Sequence, residues 1–185
     1  MSYIICGIAG YLIGCINAAY LVGKSKGFDI RNKGSNNPGA SNAAITMGFK
    51  IGVLVAVWDI LKAAIAVFAA KILFPDDALI GTVAGVGCIL GHMFPVFMSF
   101  NGGKGFASFM GMMMMSNWKA FLIIGIIAVI ITVITDYIAI ATLTTVITYP
   151  LYIIFSTGDY LISLVIAIAS LARVFKHLIT IKRIL

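Results

Sequence analysis

The sequence predicts an all-α fold: a polytopic integral membrane helix bundle of about seven transmembrane helices, one of them short. Composition is the first reason. Apolar residues make up 62% of the 185-residue chain and charged residues only 10%, with a mean hydropathy of +1.11. A soluble domain carries about 25% charged residues, so this chain lacks the polar side chains to cover a water-facing surface. The second reason is length: apolar runs near the roughly 20 residues needed to cross the hydrocarbon core recur along the chain. The third is charge, because the cations gather mainly between the runs. No stretch is polar enough for a separate soluble module, so residues 1–185 are expected to form a single domain.

The first run, 3–23, has no basic segment before it, and its cations come after. That is the wrong polarity for a cleavable signal, so it reads as a retained first helix. The loop that follows carries Lys24, Lys26, Arg31, Lys33 and Lys50. The second run, 51–73, contains Asp59 and Lys62, three residues apart and so on one helical face. Charges at membrane depth cost about 2.5–3.5 kcal/mol each on insertion scales, and they either mark function or pin helices as an ion pair. The third run, 78–98, ends around His92, Phe94 and Pro95. The fourth, 105–117, includes the tetrad Met112 to Met115 and is short for a crossing. Runs 119–135, 137–155 and 159–175 complete the set, and Arg173, Lys176, Lys182 and Arg183 crowd the C-terminus. The positive-inside rule places both basic clusters in the cytoplasm. Only an odd number of crossings allows that, so the short run is expected to cross, shielded by its neighbours. The N-terminus then lies outside and the C-terminus inside. Loop 24–50, turn 99–104 and tail 173–185 consequently meet at one membrane face, whereas Asp76, Asp77, Asp159, Lys71 and Lys119 fall at the other.

Polar chemistry concentrates in two glycine-rich stretches. GSNNPGASN at 34–42 combines turn residues with the short hydrogen-bonding groups of Ser35, Asn37, Ser41 and Asn42. Residues 40–46 can open a short helix whose N-terminus faces an anion. GHMFPVFMSFNGGKG at 91–105 places His92 ahead of the turn Gly102-Gly103-Lys104-Gly105. Glycines there let backbone N–H groups converge on an anion while the lysine adds full charge. His92 alone, near a helix end, is equally compatible with a structural hydrogen bond. Cys6, Cys15 and Cys88 lie in apolar runs and read as small buried hydrophobes. No His/Cys/Asp/Glu set has metal-ligand spacing, no nucleotide P-loop pattern occurs, and the charge distribution lends no support to nucleic-acid binding. What remains is a phosphate-handling membrane enzyme.

The 34–42 and 91–105 motifs, with the Asp59/Lys62 helix between them, resemble the PlsY-type bacterial acyl-phosphate:glycerol-3-phosphate acyltransferases in order, spacing and number of spans. The resemblance runs through nearly the whole chain. It implies transfer of a fatty acyl group from acyl phosphate to the sn-1 hydroxyl of glycerol 3-phosphate, giving lysophosphatidate and phosphate in phospholipid synthesis. It also implies no cofactor or metal, and a multi-pass protein of the bacterial inner (plasma) membrane with its active site facing the cytoplasm. By resemblance, Ser35, His92, Lys104 and His177 are the catalytic candidates. Asn37, Asn42, Gly102, Gly103, Thr142 and Arg183 are the substrate-binding ones. The chain departs from the family pattern at Ile45, where an arginine is usual, and at Thr180, where an asparagine is. Cys15 and Asn17 replace a common Ser and Pro, and the usual acidic tail after Arg183 is absent. Arg31 or Lys33 are candidates to replace the lost arginine. Two alternatives accompany these departures: a weak or inactive paralogue that binds phosphorylated lipid or a partner, and a small transporter with Asp59 and Lys62 along its pathway.

Overall fold

The structure, a computed structural model, describes residues 1–182, with side chains through Leu178. Nine α-helices are present among the described residues: α1 (Ser2–Gly14), α2 (Ala18–Ser25), α3 (Ala40–Met47), α4 (Phe49–Leu73), α5 (Ala78–Met93), α6 (Phe106–Ser116), α7 (Trp118–Thr135), α8 (Ile138–Thr157) and α9 (Tyr160–Lys182). Six spans are long and apolar enough to cross a membrane, α1 and α2 together forming the first, and α6 is the shorter apolar helix. The protein is therefore a multi-pass membrane bundle, as its composition requires. Its exposed apolar side chains, such as Ile4, Ile65, Ile126 and Leu164, face lipid rather than water.

Expected run 3–23 is not one helix. It breaks at residues 15–17, where the Asn17 side chain accepts the Tyr20 N–H at 2.8 Å and caps α2. Asn17 also donates to the Pro38 carbonyl at 2.9 Å, tying the break to the first polar loop. A broken helix in a bilayer exposes carbonyls that no water can serve. Lys62 answers this by donating to the carbonyls of Gly14 and Ile16, both at 3.1 Å. The charge at depth and the break are thus one feature.

α5 is the central element: twelve of its 16 residues are buried, against three of 18 in the peripheral α7. α1 lies against it along a glycine seam. A Cβ on Gly10 or Gly14 would strike the backbone carbonyl of Ala84 or Cys88, and one on Gly87 or Gly91 that of Gly7 or Tyr11. The short α6 is inserted deeply, with Gly111 against the Ile60 carbonyl of α4. Its Phe109, Met112 and Met113 are buried in the main core with Val67, Ile89, Val146, Tyr149 and Ile166. That burial explains how a short helix is tolerated here, since neighbouring protein replaces lipid around it. In α8, Pro150 has no N–H for the Val146 carbonyl one turn earlier. Ser170 of α9 donates to that carbonyl at 2.7 Å, and Ser163 donates to the Pro150 carbonyl at 2.8 Å, so the proline is where α8 and α9 are joined. Cys6, Cys15 and Cys88 are free and buried.

Candidate active site

A cavity of about 190 Å³ opens where the first polar loop, the Gly-Gly-Lys-Gly turn and the end of α9 meet. Ser35, Asn37, His92, Lys104, Thr142 and His177, all singled out from the sequence, line it. Residues separated by more than 140 positions are brought together at one end of the bundle. Asp59, Ser41 and Arg173 line it as well.

Asn42 does not line the cavity. It is fully buried (0% exposed), and its amide donates to the Ile30 and Lys33 carbonyls at 3.2 and 2.9 Å while its oxygen accepts the Ser35 N–H at 2.9 Å. Its part is to fold the loop that presents Ser35. Gly102 and Gly103 do not offer their N–H groups to an anion either. Those groups donate to the Met93 and His92 carbonyls, each at 3.1 Å, because the last carbonyls of a helix lack intrahelical partners. The glycines fold the turn back over the end of α5, and a Cβ on Gly103 would collide with His92 Nε2. Arg183 lies outside the described residues, as does the side chain of Thr180.

His92 is held in a buried charged cluster. Lys62 Nζ stands 2.8 Å from Asp59 Oδ1 and 2.9 Å from His92 Nδ1, with Nδ1 3.3 Å from the same carboxylate oxygen. An ammonium has three protons and no acceptor. The three contacts of Lys62 with hydrogen-bond geometry are the Gly14 carbonyl, the Ile16 carbonyl and His92 Nδ1, whereas Asp59 Oδ1 has no hydrogen-bond partner and balances charge. With the Lys62 ammonium giving its third proton to Nδ1, that nitrogen accepts, and a neutral His92 then carries its proton on Nε2, the nitrogen beside Gly103.

Arg173 is the residue that sequence reasoning passed over, having counted it only among the inward-side charges. It is 2% exposed, donates from Nη1 to the Thr142 carbonyl at 3.2 Å, and lies 5.1 Å from the centre of the Phe106 ring. The signal was available: Arg173 and His177 are four apart in one helix, and therefore share a face. Burial lowers the pKa of Lys104 from the ordinary lysine value, and the nearby Arg173 charge lowers it further. Neither cation has a carboxylate within ion-pair distance among the described residues. The arrangement places two positive charges at the cavity that no described carboxylate pairs with, a chemistry suited to an anion.

Arg31 and Lys33, considered as substitutes for the arginine absent at position 45, are not among the lining residues. Arg31 embraces Asp29 at 2.8 Å and donates to the Met98 carbonyl at 2.8 Å, strapping the first loop to the second. Lys33 lies over the Phe28 ring. Ile45 itself is 73% exposed on α3. The second cation of the cavity is supplied from α9 instead.

The geometry has counterparts. The family model described as Glycerol-3-phosphate acyltransferase matches residues 4–185. Glycerol-3-phosphate acyltransferase 1 of Oceanobacillus iheyensis is 36% identical, across all of this chain and 92% of its own. The Glycerol-3-phosphate acyltransferase of Bacillus subtilis is 35% identical, across 96% of this chain and 91% of its own. Among solved structures, PlsY, an integral membrane glycerol 3-phosphate acyltransferase in its glycerol 3-phosphate form, superposes with a TM-score of 0.90 at 31% identity. That match covers all of this chain and 92% of that one. Its lysophosphatidic acid form gives a TM-score of 0.85 at 30% identity, with the same coverage. By sequence along its whole length and by fold, this chain belongs to the glycerol-3-phosphate acyltransferase family.

Proposed function

We propose that the cavity is where a fatty acyl group passes from acyl phosphate to the sn-1 hydroxyl of glycerol 3-phosphate, releasing lysophosphatidate and inorganic phosphate. The observation that carries this reading is the convergence of Lys104 and Arg173, unpaired with any described carboxylate, on a hollow at the end of a lipid-facing bundle. Both substrates bring phosphate to that charge, and the acyl chain can remain in the bilayer. The single domain, residues 1–185, sits in the inner membrane with this cavity facing the cytoplasm, where soluble glycerol 3-phosphate is met.

The glycerol oxygen attacks the acyl carbonyl carbon and a new C–O ester bond forms. The bond from that carbon to the phosphate oxygen breaks, and phosphate leaves with the bonding pair. The hydroxyl proton passes to a phosphate oxygen of the substrates, so no nucleophilic side chain is needed. Lys104 and Arg173 stabilise the negative charge on the carbonyl oxygen and on the departing phosphate. Ser35 and Thr142 line the same wall and orient phosphate oxygens, as does Asn37. His177 adds a hydrogen-bonding group from the α9 face. His92, with its proton fixed on Nε2 by Lys62, serves as a donor and not as a base.

The test is acyl transfer by the purified protein with acyl phosphate and labelled glycerol 3-phosphate. Labelled lysophosphatidate is expected. Binding of both substrates without turnover would instead mark an inactive paralogue.

A further inference from the structure

A second cavity, of about 310 Å³, lies at the opposite end of the bundle. The same helices build both, each from its other end: α4 gives Asp59 to one and Lys71 to the other, and α8 gives Thr142 and Tyr149. Along α6 and α8 the apolar core residues Phe109, Met112 and Val146 come between them. Phe109 meets Tyr149 edge-on, with ring centres 5.9 Å apart. Acyl transfer at the first cavity makes no use of the second.

Its lining is rich in donors. Lys71 gives one ammonium proton to the Met115 carbonyl at 2.9 Å, which leaves two. The hydroxyls of Tyr149 and Ser116 interact only with each other and not in good hydrogen-bond geometry, so at least one of their two protons is left over, and Tyr149 is 0% exposed. Asn117 uses its side-chain oxygen to cap α7, so its amide protons remain. A hydroxyl buried in a bilayer without a partner is costly, and such a cavity calls for a polar occupant. The wall also holds one carboxylate, Asp159, whose Oδ1 accepts the Ile162 N–H. Lys71 and Asp159 do not pair with each other. A free anion would be drawn to Lys71 and repelled by Asp159, whereas a ligand bearing both charges satisfies both. The wall is built at the end of α4 and at the α6–α7 and α8–α9 junctions, and the ends of spanning helices are the parts of a bundle nearest the lipid headgroups.

We propose that this cavity holds the headgroup of a zwitterionic phospholipid from the leaflet at that end of the bundle. Its phosphodiester is taken by Lys71, Tyr149 and Ser116, and its ammonium by Asp159. No bond is made or broken, and the lipid acts as a bound structural partner.

Native mass spectrometry of the full chain, released from detergent after mixing with phosphatidylethanolamine, phosphatidylglycerol of matched acyl chains, or inorganic phosphate, tests this. One phosphatidylethanolamine per chain is expected, retained about tenfold over phosphatidylglycerol. Lys71→Met and Asp159→Asn should each lower that retention about tenfold, while acyl transfer continues at the other end. Tyr149→Phe keeps the ring contact with Phe109, so it serves even where a charge variant fails to accumulate, and should cost about fivefold. Equal retention of the two lipids, a preference for phosphatidylglycerol, binding of phosphate alone, no retained lipid, or retention unchanged in the variants would each overturn the proposal.

Discussion

Lys104 and Arg173 approach one cavity as like charges, and that repulsion has a consequence for pH. Lys104 sits in a turn outside the spans, and burial first, then Arg173, lowers its pKa. If catalysis needs the ammonium, kcat/KM falls as pH rises through this depressed value, below the usual lysine range. Bound phosphate favours the charged form and raises the pKa, so the alkaline limb of kcat should lie at higher pH than that of kcat/KM. Lys104→Arg should carry the limb out of the measurable range, because a guanidinium stays protonated. Lys104→Ala should lower kcat/KM by about 10²–10³, as loss of one preorganised donor to a developing oxyanion does. Full activity in that variant would remove its proposed role. The second prediction concerns Lys62. The chain has two histidines, so nitrogen-15 labelling of histidine resolves the tautomer of each. His92 should show protonated Nε2 and unprotonated Nδ1 in the native protein, and Lys62→Met should abolish that pattern along with most activity. An unchanged His92 spectrum would detach Lys62 from its positioning role. The sequence made Lys104 visible because a glycine turn around a lone cation is a local pattern. Arg173 gave only the weaker signal of its spacing from His177, because its place at the cavity comes from where α9 packs.

Helices were legible as runs of apolar residues, and the boundaries of α4, α6, α7 and α8 follow those runs closely, whereas α5 ends at Met93, five residues before the expected 98. What periodicity cannot show is an interruption made of apolar and small residues. Cys15, Ile16 and Asn17 look like part of a span, and only Lys62, 45 positions on from Asn17, reveals that carbonyls there need a donor. The glycine seam between α1 and α5 was equally hidden, since small residues in a membrane helix are common and only the facing backbone shows which are required. Gly91→Leu should separate α1 from α5, and a sharply lowered Tm with loss of folded yield is expected. Gly125→Ala is the control: its added Cβ meets nothing closer than the Met110 methyl at 3.6 Å, and Tm should hold or rise slightly. The first polar loop is strapped by Asp29. The Arg31 guanidinium beside it holds its carboxyl down at about 2, from 3.8. A carboxyl depressed in the fold stabilises above its unfolded pKa, and that contribution is lost as pH falls from about 4 towards 2. Loop protection, read by limited proteolysis, should therefore fail across that acid window, and Asp29→Asn should show the same weakness already at neutral pH.

The whole molecule sorts its polar groups to two ends, and the six long apolar spans together with the short α6 run between those ends. Each cavity draws on α4, α8 and α9, at different points along them, and the expectation that the short run passes from one end to the other is what anticipated Ser35, Lys104 and His177 in one cavity. Had α6 failed to cross, α7 to α9 would have run inverted, and Arg173 and His177 would have faced Lys71. The position of α6, set by Gly111 against the Ile60 carbonyl, therefore bears on whether the residues of the candidate site meet. The positive-inside rule predicts a direction relative to the cell, with the first polar loop inside, and direct measurement tests it. Cys6, Cys15 and Cys88 are buried, so single cysteines added at exposed sites give a clean background. Lys26→Cys, in the first polar loop, should react with a membrane-impermeant maleimide only after the membrane is opened. Asp76→Cys, between α4 and α5, should react in intact cells. The reverse pattern would turn the Lys104 and Arg173 end away from the cytoplasm and from soluble glycerol 3-phosphate, and the proposal of the cavity as an acyl-transfer site would not survive it.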